Sequence, residues 1–414
     1  MTERAEDADG SQTEKDPSIW ELVPLADYRL PQTPAARAAR ARWASLKRLF
    51  GRHRHEDETP ARTETDLRRL PTEQLDSIVA AIDWASGSKI LQNAFETRSA
   101  DDPVCFVVGP PGSGHVQLLR HWGTDQGARW ITSPTYQDIL KTRYTWLNEW
   151  PTDARCWVLP RLEHCWLRSA AGLALIRELL DRALAGRLGH GIIGCDSWTW
   201  AYLRYVAPLP THSGLTLQAI DGERLAVLFG ELVAIDGPRP VRFCNARTGK
   251  LILAVDGEDD VRDDTELQSL AARCRGSAGL ARELWRARLR SEPAPKEGTD
   301  EDGAGEDAEP PVDGNDDGTT VWVAPPPEEP ALLVDGDEEL ALVVHALLLH
   351  NGLPGSVLAN LLPLPPFRVQ ASLQRLAAAG IAAAAPDGRW QIAAPGYPTA
   401  RELLREQGLL LDDF

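Results

Sequence analysis

Residues 104–116 read VCFVVGPPGSGHV, which joins five apolar residues to a turn that contains three glycines. A short apolar run that ends at a glycine-rich turn is typical of a buried strand in a parallel sheet. When such a turn also opens a helix, its backbone N–H groups converge and attract anions. The stretch therefore predicts an α/β fold with an anion-binding turn at the tip of a central strand.

Further short apolar runs follow along the chain, and helical stretches separate them. An alternation of strands and helices predicts a parallel sheet covered on both faces. The candidate strands after the first one are residues 130–132, 156–159, 192–195 and 215–219. A helical segment is then predicted at residues 265–289, so the α/β domain is expected to span residues 71–290.

The N-terminal region, residues 1–70, is expected to be mostly irregular apart from one basic amphipathic helix. Thr33 and Pro34 form a favourable helix start, because a capping hydroxyl precedes a proline at the first helical position. Five basic residues lie within 37–48, and Arg52 and Arg54 follow. Two interpretations remain open for residues 34–55: packing of the apolar side on the core, or docking on an anionic membrane surface or acidic partner.

An acidic segment divides the chain toward its C-terminal end. Between Glu292 and Asp317 eleven acidic residues stand against the single Lys296, so much of the net charge of −17 is concentrated there. Such a segment buries too little apolar surface to fold alone, and residues 291–332 are predicted to be a flexible linker. Residues 333–414 predict three helices and a hairpin, the pattern of a small winged-helix α+β domain.

The glycine-rich turn matches part of the phosphate-binding motif G-x-x-x-x-G-K-[ST]. In that motif lysine reaches the β and γ phosphates and the hydroxyl binds Mg²⁺. His115 stands in place of the lysine and Val116 in place of the hydroxyl residue. The candidate nucleotide-binding residues are Gly109, Pro110, Pro111, Gly112, Ser113, Gly114, His115 and Val116.

On these residues the region from about 90 to 290 resembles the AAA+ and STAND branch of the P-loop NTPases. The resemblance implies a P-loop NTPase-like core with a helical lid, and many members of these families also carry a C-terminal winged helix. In the family an acidic pair, Walker B, ends the third strand and holds Mg²⁺. Pro160 and Arg161 stand at those two positions, and Glu163 is the nearest acid and a weak catalytic candidate.

Two further elements of the family can be placed on this sequence. The sensor 1 role, at the end of the fourth strand, falls on Asp196 or Ser197 within GCDSW. The stretch GSAGLAREL resembles the lid motif that closes over the nucleotide, with Gly279 where an arginine often lies. The resemblance therefore implies a degenerate ATPase in which several catalytic elements are missing together.

These losses together predict a pseudoenzyme. Positioned charge and metal supply nearly all of phosphoryl-transfer catalysis, and one such contact is commonly worth about 10² to 10³ in rate. Hydrolysis is expected to be negligible and Mg²⁺ not tightly held. Whether the turn still binds ATP or ADP, or is purely structural, stays open. Protonated His115 would replace part of the lysine charge below its unperturbed pKa of about 6.5.

The favoured interpretation is a nucleotide-sensing or scaffold adaptor that regulates a protein partner. One alternative is a transcriptional regulator whose recognition helix offers Arg368 and Arg375 to DNA, although two arginines give few phosphate contacts. The other alternative is a peripheral membrane adaptor that docks through residues 34–55. The chain lacks an apolar run of about 18 residues and a signal-peptide pattern, so a cytoplasmic location is expected.

Overall fold

The structure is a computed structural model of the 414-residue chain. It describes residues 18–31, 62–63, 66–99, 102–151, 154–207, 209, 214–233, 241–254, 264–292, 319–328, 330 and 338–414. The predicted basic helix at residues 34–55 lies outside these ranges, so its membrane-docking interpretation stays a prediction.

Strands and helices alternate along most of the described chain. In order of sequence they are β1 (Leu22–Pro24), β2 (Arg68–Arg69), α1 (Thr72–Ile78), α2 (Ala85–Thr97), β3 (Val104–Gly109), α3 (His115–Asp125), β4 (Arg129–Trp130), α4 (Tyr136–Leu140), α5 (Thr145–Asn148), β5 (Trp157–Leu159), α6 (Gly172–Leu184), β6 (Gly191–Asp196), α7 (Ser197–Val206), β7 (Gly214–Leu217) and α8 (Gly222–Leu232). They continue with β8 (Val241–Asn245), β9 (Leu251–Ala254), α9 (Asp264–Arg273), α10 (Ala278–Arg288), β10 (Leu289–Ser291), β11 (Thr319–Val323), α11 (Glu338–Leu349), β12 (Leu353–Pro354), α12 (Gly355–Leu361), α13 (Pro366–Ala378), β13 (Ala382–Ala384), β14 (Arg389–Ile392) and α14 (Tyr397–Glu406).

A six-stranded sheet forms the centre of the fold, with the strand order β1-β7-β3-β6-β5-β4. The five strands β3 to β7 run parallel to their neighbours, whereas β1 pairs antiparallel with β7 at one edge. The predicted α/β fold with parallel strands is thereby confirmed. The edge strand β1 lies in the region predicted to be irregular. The sequence did not predict it, because three residues are too few to show the alternation of a strand.

The two central strands are buried over their whole length. Every residue of β3 and β6 is buried, which agrees with their continuous apolar sequences. Gly191 leaves room for the Trp157 ring, and Gly194 for the carbonyl of Pro160, since a Cβ at either position would overlap with these atoms. Close packing of neighbouring strands therefore fixes the carboxyl ends of β3, β5 and β6 next to one another.

A second sheet has the strand order β2-β10-β11-β8-β9. Arg68–Arg69 and Thr319–Val323 belong to it, so the predicted irregular region 1–70 and the predicted linker 291–332 each contribute a strand. Because β10 pairs antiparallel with β11, the two described ends of the acidic segment are adjacent in this sheet. The described residues on either side of positions 293–318 therefore lie in neighbouring strands of one sheet, and the predicted flexible linker stays a prediction.

The segment predicted to be helical at 265–289 is two helices. Gly276, with φ of +76°, interrupts it, and a Cβ there would overlap with Ala219. Ser277 then caps α10, its side chain accepting the N–H of Leu280 at 3.5 Å. The break turns the N-terminus of α10 toward the glycine-rich turn.

The C-terminal part, from Glu338 to Phe414, forms a module with its own small sheet. It contains the three predicted helices, α11, α12 and α13, and a three-stranded sheet in the order β12-β14-β13. The predicted hairpin corresponds to β13 and β14, with Gly388 at its turn and a φ of +80°. The additional helix α14 follows the hairpin and completes this C-terminal module.

Candidate functional site

The glycine-rich turn lies at a reversal in the strand order of the six-stranded sheet. From the carboxyl end of β3 the chain crosses toward β4, whereas from the adjacent β6 it crosses in the opposite direction to β7. In open α/β sheets such a reversal leaves a crevice at the carboxyl ends of the strands, where ligands commonly bind. The turn predicted from sequence to bind an anion is thus at the place where a ligand is expected.

The turn itself has the backbone shape of an anion cradle. Gly112 and Gly114 have φ values of +76° and +84°, which side-chain-bearing residues rarely adopt. The N–H of Ser113 donates to the carbonyl of Pro110 at 3.0 Å and closes the turn. Helix α3 begins directly afterwards at His115.

Several backbone donors at the start of α3 are available to a ligand. The N–H groups of Gly112, Gly114, Val116 and Gln117 find no acceptor among the residues that the structure describes. The first N–H groups of any helix lack intrahelical partners, and the helix dipole adds positive potential there. These four donors form the part of the site that is independent of side chains.

His115 does not supply the charge of the missing lysine. Its side chain is buried, and Nδ1 lies 2.9 Å from Ser113 Oγ. Burial, aided by the nearby Arg161 guanidinium, lowers the pKa of His115 to about 3. The prediction that His115 replaces part of the lysine charge below a pH of about 6.5 is therefore wrong, because burial keeps this imidazole uncharged until the pH approaches about 3.

A cleft of about 510 Å³ opens over the turn. Ligand clefts typically have volumes of roughly 300–1,000 Å³, so the space suits a molecule of nucleotide size. The cleft is lined by Pro111, Gly112, Gly114, His115, Val116 and Gln117 from the turn and α3, by Ala81, Ile82 and Trp84, by Arg161, by Gly279, Leu280, Arg282 and Glu283 from α10, and by Asn351, Gln391, Ile392, Ala394 and Tyr397 from the C-terminal module. Widely separated parts of the chain thus form one binding space.

Trp84 contacts the turn directly. A Cβ at Gly114 would overlap with the Trp84 ring, so the indole lies against this glycine. Trp20 packs behind it, with ring centroids 4.5 Å apart. Only 7% of Trp84 is exposed, so the indole borders the cleft as a largely buried side chain.

The predicted site residues Glu163, Asp196 and Ser197 lie beside the cleft rather than in its lining. Glu163 is fully buried, and its Oε2 accepts the N–H of Asp196 at 3.1 Å. Asp196 caps α7 by accepting the N–H of Trp198 at 3.0 Å. The Ser197 hydroxyl donates to Asp412 of the C-terminal module. Glu163 therefore joins two strand ends, while Asp196 and Ser197 anchor a helix and the module.

Both buried carboxyls are difficult to ionise. Burial raises the pKa of Glu163, and the nearby Arg161 guanidinium opposes this rise only in part. Burial and the neighbouring Glu163 carboxylate raise the pKa of Asp196 well above its usual range. A carboxyl whose charged form is disfavoured by burial is a weaker ligand for a divalent cation.

Mg²⁺, which the family resemblance implies, does not fit this set of residues. Its usual ligands are carboxylates, a hydroxyl and phosphate oxygens. At the corresponding positions the chain has Val116, Pro160 and Arg161, and the guanidinium would repel a divalent cation. Within the described ranges the structure contains no cluster of three His, Cys, Asp or Glu residues able to hold a metal ion.

The C-terminal module closes one side of the site. Trp198 Nε1 donates to the Tyr397 hydroxyl at 3.1 Å, and His350 Nδ1 lies 3.3 Å from the carbonyl of Glu163. Tyr397 also lines the cleft. The same module therefore contacts the ends of β5 and β6 and borders the ligand space.

The helix predicted to recognise DNA, α13, carries Arg368 at its exposed side. Arg368 forms an ion pair of 3.4 Å with Glu339 on α11. Arg375 lies in the last turn of α13. Phe367, next to Arg368, is 68% exposed. A neutralised arginine beside an exposed phenylalanine is a mixed surface, so the DNA-binding interpretation stays a prediction.

Gly279 lies on α10 at the position where the resemblance implies an arginine. A Cβ at Gly279 would overlap with the carbonyl oxygen of Gly112, so α10 packs directly on the turn. Ser277 strengthens this contact, with its Oγ 3.4 Å from the carbonyl of Pro111. The glycine thus allows close packing between α10 and the turn.

We expect Gly279→Ala to lower the free energy of unfolding by about 1–3 kcal/mol, because a methyl group must displace backbone atoms of the turn. The matched control is Gly230→Ala in α8, where no heavy atom lies within 4 Å of the added Cβ. That change should raise stability by up to about 1 kcal/mol, since alanine favours a helix over glycine. Guanidinium unfolding of both variants checks this, and equal responses would contradict the packing argument.

Sequence reasoning found the turn but missed most of the cleft. Arg161 was visible at the end of a predicted strand, but only as a departure from an acidic motif. Trp84, Arg282 and Tyr397 are far apart in the chain, and no local pattern brings them together.

In the described part of the chain, no helix is both long enough and apolar enough to cross a bilayer.

No family model matches the chain, and a search of curated proteins gives no match.

Proposed function

We propose that this chain is a non-hydrolysing relative of the P-loop ATPases that binds ATP or ADP in the cleft and acts as a nucleotide-sensing regulatory adaptor. The observation that carries the proposal is the glycine-rich turn between β3 and α3. Its free N–H groups face a cleft at the switch point of the sheet. In this proposal residues 71–290 form the degenerate ATPase core and residues 333–414 a winged-helix domain.

The proposed binding mode uses the backbone for the phosphates and apolar groups for the rest of the nucleotide. The donors of Gly112, Gly114, Val116 and Gln117 are placed for phosphate oxygens. Trp84, Ile82 and Leu280 line the same cleft and offer apolar contact to a base. Burial of apolar surface contributes roughly 25 cal/mol per Å², so such contact with the base favours a nucleotide over inorganic phosphate.

The absence of hydrolysis in this proposal follows from the positions that catalysis requires. His115 is uncharged, Glu163 faces a backbone N–H, and Arg161 occupies the place of an acid. Glu283 also lines the cleft, but its carboxylate is paired with the Arg282 guanidinium at 3.1 Å. We therefore propose occupancy of the cleft, rather than turnover, as the property that is sensed.

The link from occupancy to regulation runs through the C-terminal module. A ligand that contacts both the turn and Asn351, Gln391 or Tyr397 binds the docked arrangement better than a detached one. Such a difference in affinity is what shifts a conformational equilibrium. The exposed Phe367 on α13 is the proposed contact for a protein partner.

Gln117→Glu tests the cleft without disturbing the fold. The new carboxylate lies among the free N–H groups, so it favours the helix start but repels phosphate. We expect at least tenfold weaker ATP and ADP binding, followed by intrinsic tryptophan fluorescence, and a stability without ligand that is equal to or slightly above that of the unchanged chain. The control Gln137→Glu adds the same charge to the first turn of α4, outside the cleft, and should leave nucleotide binding unchanged.

Thermal unfolding provides a second readout of the same proposal. A nucleotide present at 100 times its Kd should stabilise the native chain by about 2.7 kcal/mol. Absence of any stabilisation by ATP or ADP at millimolar concentration would overturn the proposed function. Equal stabilisation of the Gln117→Glu variant would move the binding site elsewhere.

A further inference from the structure

We propose that the cleft binds the phosphates of its nucleotide without a divalent cation, with the Arg161 guanidinium supplying the positive charge that Mg²⁺ provides in hydrolysing relatives. The inference rests on the proposed function and names the ionic form of the ligand. It follows from residues at the end of β5 that the resemblance does not explain.

Arg161 lies at the carboxyl end of β5 and lines the cleft beside the glycine-rich turn. Its side chain is 33% exposed, so part of the guanidinium remains accessible to a ligand. Pro160, before it, is held by close packing on Gly194 of the neighbouring strand. The arginine is thus fixed by the sheet at the position where the resemblance places a metal-binding acid.

The charge of Arg161 is only weakly compensated. Its nearest carboxylate oxygen, Oε1 of Glu163, is 3.6 Å from the guanidinium NH1, which is an ion-pair distance without a good hydrogen bond. The other Glu163 oxygen is engaged with the N–H of Asp196. Donors on the guanidinium therefore remain for a phosphate, which arginine binds in a bidentate geometry.

A second, independent feature of the cleft indicates a ligand. His115 lines the cleft with only 4% of its surface exposed, and its Nε2 has no hydrogen-bond partner among the described residues. Buried polar atoms usually have a partner, so an orphaned nitrogen at this position is unusual. A phosphate oxygen or an ordered water held by a bound nucleotide would provide that partner.

A divalent cation is disfavoured at the same place. At 4 Å two like unit charges repel by about 4 kcal/mol near a protein surface, and the repulsion doubles for a divalent ion. Glu163 and Asp196 are buried outside the cleft lining, and each already accepts a backbone N–H with one carboxyl oxygen. Arginine and Mg²⁺ are therefore alternatives for neutralising the phosphates.

Calorimetric titration of the full chain with ATP tests the inference in two buffers, one with Mg²⁺ and one with EDTA. We expect binding in EDTA to be at least as tight as in Mg²⁺. Arg161→Ala should weaken binding in EDTA by tenfold or more, and Arg161→Lys by less. The control Arg129→Ala removes an exposed arginine at the amino end of the neighbouring strand β4, outside the cleft lining, and it should leave binding unchanged.

The outcomes separate this inference from the proposed function. ATP binding that requires Mg²⁺ would overturn the metal-free mode and leave nucleotide sensing intact. Unchanged affinity of Arg161→Ala in EDTA, with the variant folded by circular dichroism, would overturn the role of Arg161. No binding in either buffer would overturn both proposals.

Discussion

Replacing Asp412 with alanine is expected to lower the free energy of unfolding by about 3–5 kcal/mol, the cost of leaving one member of a buried ion pair alone. The Asp412 side chain is fully buried and accepts hydrogen bonds from Arg401 and from the Ser197 hydroxyl. Arg401 also donates to the carbonyl of Asp412 at 2.8 Å. The residue therefore connects α14, the C-terminal end of the chain and the start of α7.

Asp413→Ala is the matched control. Asp413 is the next residue, but 80% of its side chain is exposed, and it forms a surface pair with Arg204 at 3.1 Å. Such pairs contribute at most about 1 kcal/mol. Guanidinium unfolding gives the stability difference, and limited proteolysis reports detachment of the C-terminal module. Similar small losses for both variants would show that the module is held by other contacts.

Acidification from pH 7 to pH 5 is expected to destabilise the chain by about 2–7 kcal/mol, because four histidines are held uncharged in the fold. Burial lowers the pKa of His115 and His164 to about 3 and of His345 and His350 to about 4. In the unfolded chain the same imidazoles titrate near a pKa of about 6.5. The unfolded state thus binds more protons below that pH.

The sign of the effect follows from these pKa values. A histidine with a lowered pKa contributes its full stability above a pH of about 6.5 and loses it as the pH falls toward about 4. The raised pKa values of Glu163 and Asp196 act in the opposite direction, since the fold holds protons that the unfolded carboxyls release. Four imidazoles outweigh two carboxyls, so a net loss remains.

The contact with the C-terminal module should fail first on acidification. His164 lies 2.8 Å from Arg389, and His345 lies 3.1 Å from Arg168, so protonation places like charges together across this contact. His350→Gln should reduce the loss between pH 7 and pH 5 by about 2 kcal/mol. The control His121→Gln changes a surface histidine paired with Asp125, and it should leave the loss in place. Equal stability at pH 7 and pH 5 would contradict the account.

Local sequence patterns were sufficient for the core of the fold. The run from Val104 to Gly109 is apolar throughout because both faces of β3 are buried, and Gly112 and Gly114 are required by their positive φ values. The hairpin of β13 and β14 was predictable for the same reason, since its turn requires the positive φ of Gly388. Such features depend on a few consecutive residues, so they can be predicted without knowledge of the rest of the chain.

Contacts between distant residues could not be predicted in this way. The pairing of Thr319–Val323 with Val241–Asn245 joins segments that lie far apart in the sequence, and neither segment has a strong pattern. The uncharged state of His115 depends on burial that only the packed structure defines. Glu163 has the composition of a catalytic acid, but the tight turn after β5 directs it to the backbone of Asp196.

The most direct test of the central claim is the identity of the nucleotide recovered from the protein. The chain is incubated with ATP for several hours in EDTA or Mg²⁺, separated by gel filtration and denatured, and the released nucleotide is identified by ion-exchange chromatography. We predict close to one intact ATP per chain in EDTA. Sustained conversion to ADP that Glu163→Gln abolishes, or recovery of no nucleotide, would contradict the claim that this turn holds phosphates without cleaving them.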